Sequence, residues 1–217
     1  MQLMNNYYKS LLIFFILCPI ILVGQGFVIT GSDVNGESGD DNFGYSVSLD
    51  ADGDRMAIGA PNNDGNGSNS GHVRVYALSS GTWTQLGSDI DGEASDDQSG
   101  WSVSLNDAGD RVAIGAPQND DPSSQSGHVR VYAYSSGSWT QLGSDINGNP
   151  SNDESGWSVS MNAAGDRVAI GARGNDDSGN DAGHVRVYAY SSNAWTQLGS
   201  DIDGEAAHDH SGWSVSL

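Results

Sequence analysis

Residues 100–117 read GWSVSLNDAGDRVAIGAP, and residues 127–148 read GHVRVYAYSSGSWTQLGSDING. The same text recurs before and after these stretches at a fixed offset of 56 residues, with no insertion or deletion between copies. A fixed period in this range predicts a repeat architecture, in which each unit buries its apolar face only against its neighbours. The positions that recur include Gly44, Gly100, Gly156 and Gly212; His72, His128 and His184; Trp83, Trp139 and Trp195; and Asp33, Asp89, Asp145 and Asp201.

Each period contains segments in which apolar and polar residues alternate, as they do in half-buried β-strands. In the second copy Trp101, Val103 and Leu105 alternate with serines. No helical period occurs after residue 26, so we predict an all-β fold. The strands predicted for this copy are 100–105, 111–116, 127–134 and a fourth that begins at Trp139 and fades by Ile146.

Four short antiparallel strands in 56 residues describe one blade of a β-propeller. The alternatives are an open β-solenoid, whose coils are usually shorter, and a string of sandwiches, each of which needs roughly 100 residues. We therefore predict a partial propeller of about 3.4 blades and expect the chain to be a fragment of a longer gene product. The predicted units are a partial repeat at 27–43, full repeats at 44–99, 100–155 and 156–211, and the start of another at 212–217.

Two recurring motifs carry a resemblance to a known family. The segments FGYSV (43–47), IGAP (58–61) and GHVRVY (71–76) resemble the FG-GAP repeat, which builds the propeller at the N-terminus of integrin α subunits and occurs in secreted bacterial proteins. The resemblance covers residues 27–217 and implies a propeller that serves interaction or adhesion. Later copies depart from the pattern, since Ser99, Ser155 and Ser211 replace Phe43, and GAR (171–173) replaces the GAP motif.

Residues 1–26 differ from the repeats. Lys9 precedes an apolar run from Leu11 to Val23, and the small residues Gly24 and Gly26 follow. This order is typical of a secretory signal peptide, and the run is shorter than the roughly 20 apolar residues of a transmembrane helix. We therefore expect residues 1–26 to be a signal peptide and the mature chain to be secreted or held at the cell surface.

The chain is strongly acidic, with 28 Asp plus Glu against 8 Lys plus Arg and a net charge of −20. Such a surface repels nucleic acid and anionic membranes, so we expect no nucleic-acid partner and no membrane insertion of the mature chain. Cys18 is the only cysteine and lies in the predicted signal peptide, so packing rather than disulfides must hold the mature fold. A protein or a glycan remains as the expected ligand, and the oligomeric state is left open.

Two acidic turns recur in each period. FG-GAP repeats that resemble integrins carry a calcium loop between their first two strands, but the matching turn here, 50–55, has Arg55 in place of the last carboxylate. We predict metal-free turns at these positions, with the arginine neutralising a neighbouring aspartate. The second turn follows the fourth strand and places oxygen ligands at alternate positions around a glycine, which suits calcium. Its candidate ligands are Asp89, Asp91, Glu93 and Asp97, and the alternative is an Asx-rich turn that caps a strand.

The recurring histidines and tryptophans are predicted to be structural. Histidines at the start of the third strand are expected to hydrogen-bond between strands, and tryptophans to pack between blades rather than stack on sugars. His208 and His210 flank Asp209 in one copy, and we interpret this pair as a chance substitution rather than a transition-metal site. No Ser-His-Asp set, zinc motif or phosphate loop is present. The sequence thus predicts a non-catalytic binding and adhesion module, with a carbohydrate-binding or hydrolase-associated propeller as the alternative.

Overall fold

The computed structural model describes residues 31–148 and 152–217, and the described residues form three successive β-sheets. The predicted signal peptide lies outside the described residues, as do the first residues of the partial repeat. Blade 1 contains β1 (Ser46–Leu49), β2 (Arg55–Ala60), β3 (His72–Ser79), β4 (Thr82–Gln85) and β5 (Ile90–Asp91). Blade 2 contains β6 (Ser102–Leu105), β7 (Arg111–Ala116), β8 (His128–Ser135), β9 (Ser138–Gln141) and β10 (Ile146–Asn147). Blade 3 contains β11 (Ser155–Met161), β12 (Arg167–Ala172), β13 (His184–Ser191), β14 (Ala194–Gln197) and β15 (Ile202–Asp203).

The three sheets are antiparallel and share one topology, so the predicted all-β partial propeller is confirmed. In blade 1 the order is β1-β2-β3-β4, and Val47 faces Ile58 in the register of the first pair. Blades 2 and 3 repeat this order with equivalent residues. Among the described residues, no helix is long and apolar enough to cross a membrane.

The fourth strand of each blade is divided in two, which the alternation pattern does not predict. β4 pairs with the second half of β3, and β5 pairs with its first half. Between them Gly87 adopts a φ of 72°, a left-handed conformation that glycine adopts at little cost. The outer edge of β3 is therefore covered by two short strands, and the residues 86–89 that join them lie beside the next blade.

The apolar core lies between blades rather than within one sheet. At the first junction Val73, Val75 and Ile90 of blade 1 pack with Val112 and Ile114 of blade 2, and all five side chains are buried. The second junction repeats this core with Val129, Val131, Ile146, Val168 and Ile170. A four-residue strand has too small an apolar face to form a core alone, so each blade depends on its neighbour.

The backbones of adjacent blades also approach closely. A Cβ built at Gly59 in β2 would collide with the carbonyl oxygen of Gly100, at the start of blade 2. The Ser46 hydroxyl donates to the same oxygen at 2.7 Å. Gly100 itself has a φ of 87°, and its own Cβ would meet the His72 carbonyl oxygen at 2.6 Å. The recurring glycines therefore mark places where two backbone segments of adjacent blades must meet without side chains between them.

Candidate functional site

An arginine of the third strand holds two carboxylates at the edge of blade 1. Arg74 donates from Nε and Nη2 to the two oxygens of Asp89, at 3.0 and 2.7 Å, and it also pairs with Glu37. Gln85 donates to Asp89 at 2.6 Å. The hydrogen bond from Arg74 holds the pKa of Asp89 below its usual value, although burial opposes this, and the pKa of Arg74 is raised in return. We call this arrangement of arginine, aspartate and glutamine the clamp.

The clamp recurs in blades 2 and 3. Arg130 donates to both oxygens of Asp145, at 3.0 and 2.9 Å, and pairs with Glu93 from the loop after blade 1. In blade 3 Arg186 donates from Nη2 to Asp201 at 2.7 Å. The pKa of Asp201 falls to about 2, chiefly because of this hydrogen bond. A charged carboxylate and a charged guanidinium are thus both favoured in the clamp. In blade 2 the arginine of the clamp also links one blade to the next through its ion pair with Glu93.

The four carboxylates proposed from the sequence as calcium ligands have different partners. Asp89 belongs to the clamp of blade 1, while Glu93 pairs with Arg130 in blade 2. Asp91 is exposed at the end of β5. Asp97 is buried, and it accepts hydrogen bonds from Asn119 at 3.0 Å and from the backbone N–H of Ala94 at 3.1 Å. A calcium ion bound by all four would lie beside two guanidinium groups that repel it, so these contacts do not favour it, and calcium in this loop stays a prediction.

The recurring histidines lie next to these carboxylates and are buried. Burial is the main cause that lowers the pKa of each ring, so the neutral form is favoured. The expected hydrogen bonding is incomplete, because one ring nitrogen of each histidine has no hydrogen-bond partner among the described residues. Three groups of side chains could hold a metal ion: Glu37, His72 and Asp89; Glu93, His128 and Asp145; and Asp177, His184 and Asp201.

The turns between the first two strands are held by the protein's own donors. Asp50 accepts hydrogen bonds from the backbone N–H groups of Asp54 and Arg55, at 3.0 and 3.1 Å. The Arg55 side chain then donates to the Gly109 carbonyl oxygen in the next blade, rather than to an aspartate. Among the three turns as the structure describes them, only that of blade 3 pairs its arginine with the neighbouring aspartate, at 3.0 Å from Arg167 to Asp166. The predicted charge neutralisation therefore describes one of the three turns, and two arginines link blades instead.

A pocket of about 230 Å³ opens at the junction of blades 1 and 2. Blade 1 contributes the 88–91 segment, and blade 2 contributes Tyr132, Ser138 and Trp139. The Trp139 indole N–H donates to the Leu86 carbonyl oxygen at 2.8 Å, which fixes the ring against the first blade. The tryptophan therefore packs between blades, as predicted, and its ring also lines the pocket.

A second pocket, of about 300 Å³, repeats the first at the next junction. It is lined by the 144–147 segment, Tyr188, Ala194 and Trp195. Trp195 donates to the Leu142 carbonyl oxygen at 2.8 Å, the equivalent of the Trp139 bond. The two pockets differ where Ser138 is replaced by Ala194 and where Asp91 is replaced by Asn147. Sequence reasoning missed both pockets, because each one is formed by residues of two periods.

A row of aromatic rings also crosses the blades. Its neighbouring centroids are 4.6, 4.7 and 5.4 Å apart. Arg173, which replaces the proline of the GAP motif, lies with its Cζ 3.3 Å from the Trp157 ring centroid and donates to Glu154 at 2.6 Å. The chain thus supplies its own cation to this row. The rings are Tyr45, Trp101, Trp157 and Trp213.

Comparisons with known proteins agree with the repeat. A family model described as FG-GAP repeat matches residues 27–76, 89–132 and 147–188, together more than half of the chain. Among solved structures, hydrazine synthase of Kuenenia stuttgartiensis is 11% identical with a TM-score of 0.45, and the match covers 83% of this chain and 42% of that one. A protein from Lactobacillus plantarum is 17% identical with a TM-score of 0.48, covering 72% of this chain and 40% of that one. The chain therefore spans about two fifths of either solved chain. No curated protein matches it.

Proposed function

Because the chain belongs to the FG-GAP repeat family, we propose that it is a secreted or cell-surface module that binds a ligand and catalyses no reaction. The observation that carries this proposal is the pair of equivalent pockets at successive blade junctions. A catalytic centre needs a set of groups that converge once, whereas a recurring pocket presents the same contacts several times. Repeated weak sites on one scaffold are suited to adhesion, since they strengthen each other through effective concentration.

A carbohydrate is the ligand class that the pockets favour. Each pocket combines a tryptophan ring with a tyrosine and a row of hydroxyl, carboxylate or amide groups. An aromatic face suits the apolar side of a sugar ring, and the polar groups suit its hydroxyls. Volumes of about 230 and 300 Å³ lie just below and at the lower limit of the roughly 300–1,000 Å³ usual for small-molecule pockets, so each would accept one ring-sized unit.

The charge of the chain supports the same reading. Asp89 and Asp145 in the pockets are ionised and neutralised by the arginines of their clamps. The pocket walls can therefore offer hydrogen-bond acceptors without a large local excess of negative charge. The net charge of −20 of the whole chain disfavours anionic polymers, which leaves neutral glycans and cationic or neutral protein surfaces as partners. Export by the predicted signal peptide would bring the module to such ligands.

A glycan array probed with the full chain tests the proposal. Ser138→Arg and Ala194→Arg place a long side chain in the first and second pocket, at exposed positions of β9 and β14. We expect each variant to weaken binding to a retained glycan and the double variant to abolish it. Thr140→Arg is the matched control, since Thr140 is exposed on the same strand as Ser138 but does not line the pocket. Hydrolysis of any retained glycan by the chain would contradict the non-catalytic part of the proposal.

A further inference from the structure

Each of the three groups contains a histidine and an aspartate at equivalent positions of the repeat. The third residue of the group differs in blade 3. In blades 1 and 2 the guanidinium contacts both carboxylates of its group: Arg74 pairs with Glu37 and Asp89, and Arg130 with Glu93 and Asp145. In these two blades the positive charge of the guanidinium group therefore already pairs with both carboxylates of the group. Blade 3 has no glutamate at the equivalent position, because the sequence has Asn149, a residue outside the described range.

The arginine of blade 3 is held less completely than its equivalents. Arg186 donates from Nη2 to Asp201, and its buried Nε has no partner among the described residues. The second carboxylate of the group is instead Asp177, from the loop between β12 and β13. Among the described residues Asp177 contacts Asn175, whose side chain donates to its carboxylate at 3.3 Å and accepts from its backbone N–H at 3.0 Å. Asp177 therefore brings a negative charge to the group that no described arginine neutralises.

His184 supplies a buried nitrogen that faces this group. Its side chain is 1% exposed, and its Nδ1 lies 4.0 Å from Oδ2 of Asp201 without a hydrogen-bond partner among the described residues. A buried nitrogen without a hydrogen-bond partner lowers stability, and a ligand bound to it would remove that cost. Burial also lowers the pKa of His184, which favours the neutral ring that metal binding requires.

We propose that Asp177, His184 and Asp201 form a binding site for a divalent transition metal, of which Zn²⁺ fits best. The three ligand atoms lie within 4.8 Å of one another, and Asp177 is exposed at the surface. Imidazole and carboxylate groups both bind zinc, whereas calcium prefers oxygen ligands alone. The buried carboxylate of Asp153 lies 3.9 Å from the other ring nitrogen, where acidic groups commonly orient a ligating histidine.

The bond from Arg186 to Asp201 is compatible with a metal. A carboxylate offers about four lone-pair positions, and in Asp201 the described donors are Arg186 at Oδ2 and Gln197 at Oδ1. Positions therefore remain for coordination. This site is separate from the junction pockets, so its test does not depend on the proposed function.

Calorimetric titration of the full chain with Zn²⁺, and cobalt absorption spectra with Co²⁺, test the site. We expect one ion per chain at micromolar affinity, at least a tenfold loss in Asp177→Asn and in His184→Gln, and no competition from millimolar Ca²⁺. Asp177 is exposed, so its variant keeps the test valid even where the buried histidine variant fails to fold.

Two matched controls separate this site from its neighbours. His128→Gln changes the equivalent buried histidine of blade 2, and His208→Gln removes an exposed imidazole that lies 3.5 Å from Asp181. Both variants should retain the affinity for Zn²⁺. The proposal is overturned by an equal loss in His128→Gln and His184→Gln, by loss in His208→Gln alone, by unchanged affinity in Asp177→Asn, or by no Zn²⁺ binding to the unmodified chain.

Discussion

The indole N–H of Trp139 donates to the carbonyl oxygen of Leu86, 2.8 Å away, across the junction of two blades. Trp139 packs against the buried core of that junction, so one side chain joins the core, the backbone of the neighbouring blade and a pocket. This relationship recurs between Trp195 and Leu142 at the next junction. The stability of the repeat and its proposed binding surface therefore depend on the same residue.

Trp139→Phe should lower the free energy of unfolding by about 1–3 kcal/mol, because it leaves a partly buried carbonyl oxygen without its donor. Urea denaturation followed by circular dichroism measures the change. Tyr190→Phe is the control, since the Tyr190 hydroxyl donates to Asn193 at an exposed site and its loss should change stability by about 0.5 kcal/mol or less. Equal stability of the Trp139 and Tyr190 variants would contradict the importance of the junction bond.

Gly115→Ala should destabilise the chain by about 1–3 kcal/mol. A Cβ at Gly115 would collide with the Gly156 carbonyl group of the next blade and with the Ser102 hydroxyl, which donates to that same carbonyl oxygen. Gly39→Ala is a matched control, since a Cβ there meets nothing within 4 Å. It should be neutral or slightly stabilising, because alanine restricts the unfolded chain. A thermal melt that finds Gly115→Ala as stable as Gly39→Ala would show that the blades do not meet as described.

Acid should destabilise the protein between about pH 4 and pH 2 through the clamp of blade 3. The hydrogen bond from Arg186 lowers the folded-state pKa of Asp201 to about 2, against roughly 3.9 in an unfolded chain. The unfolded state therefore binds the proton first, so this contribution to stability is complete above pH 4 and disappears as the pH falls through 2.

Chemical denaturation at a series of pH values measures this dependence. Asp201→Asn should flatten the curve in that window, and so should Arg186→Gln, which keeps the carboxylate but removes the donor that lowers its pKa. If both variants retain the full slope of the unmodified chain between pH 4 and pH 2, the clamp of blade 3 does not contribute to the loss of stability in acid.

Millimolar calcium, compared with a chelator, should change the melting temperature only slightly. An ion bound at the loop proposed from the sequence would be repelled by the guanidinium groups of Arg74 at Asp89 and of Arg130 at Glu93. A ligand that binds only the folded state raises its stability in proportion to the logarithm of its concentration. A rise of several degrees that Asp89→Asn with Asp91→Asn abolishes would instead establish the calcium site predicted from the sequence.

The fold follows closely from the sequence because the 56-residue period fixes equivalent positions and the alternation fixes the strands. The predicted second strand, 111–116, coincides with β7. The first strand of blade 2 begins two residues later than predicted, at Ser102. Two-residue strands such as β10 cannot be predicted from the sequence, because two residues are too few to show the alternation of apolar and polar side chains.

The site is less predictable because its contacts join residues from different strands and blades. Arg130 and Asp145 recur visibly in each period, but their pairing depends on the return of β10 to the first half of β8. The contact between Arg130 and Glu93 depends on the packing of one blade on another, as do the pockets. Spacing in the sequence placed acidic residues in one loop, whereas the fold distributes them among different donors.

The proposed binding role is tested most directly by the indole N–H signals of Trp139 and Trp195 in nuclear magnetic resonance spectra during titration with a panel of methyl glycosides. Both tryptophans line a pocket, whereas Trp213 is exposed outside them and serves as an internal control. We expect at least one glycoside to shift the Trp139 and Trp195 signals together and to leave the Trp213 signal unchanged. The Trp139 shift should disappear in Ser138→Arg, and the Trp195 shift should disappear in Ala194→Arg. Signals that stay fixed with every glycoside, or shifts confined to Trp213, would contradict the claim that the blade junctions are binding sites for sugar units.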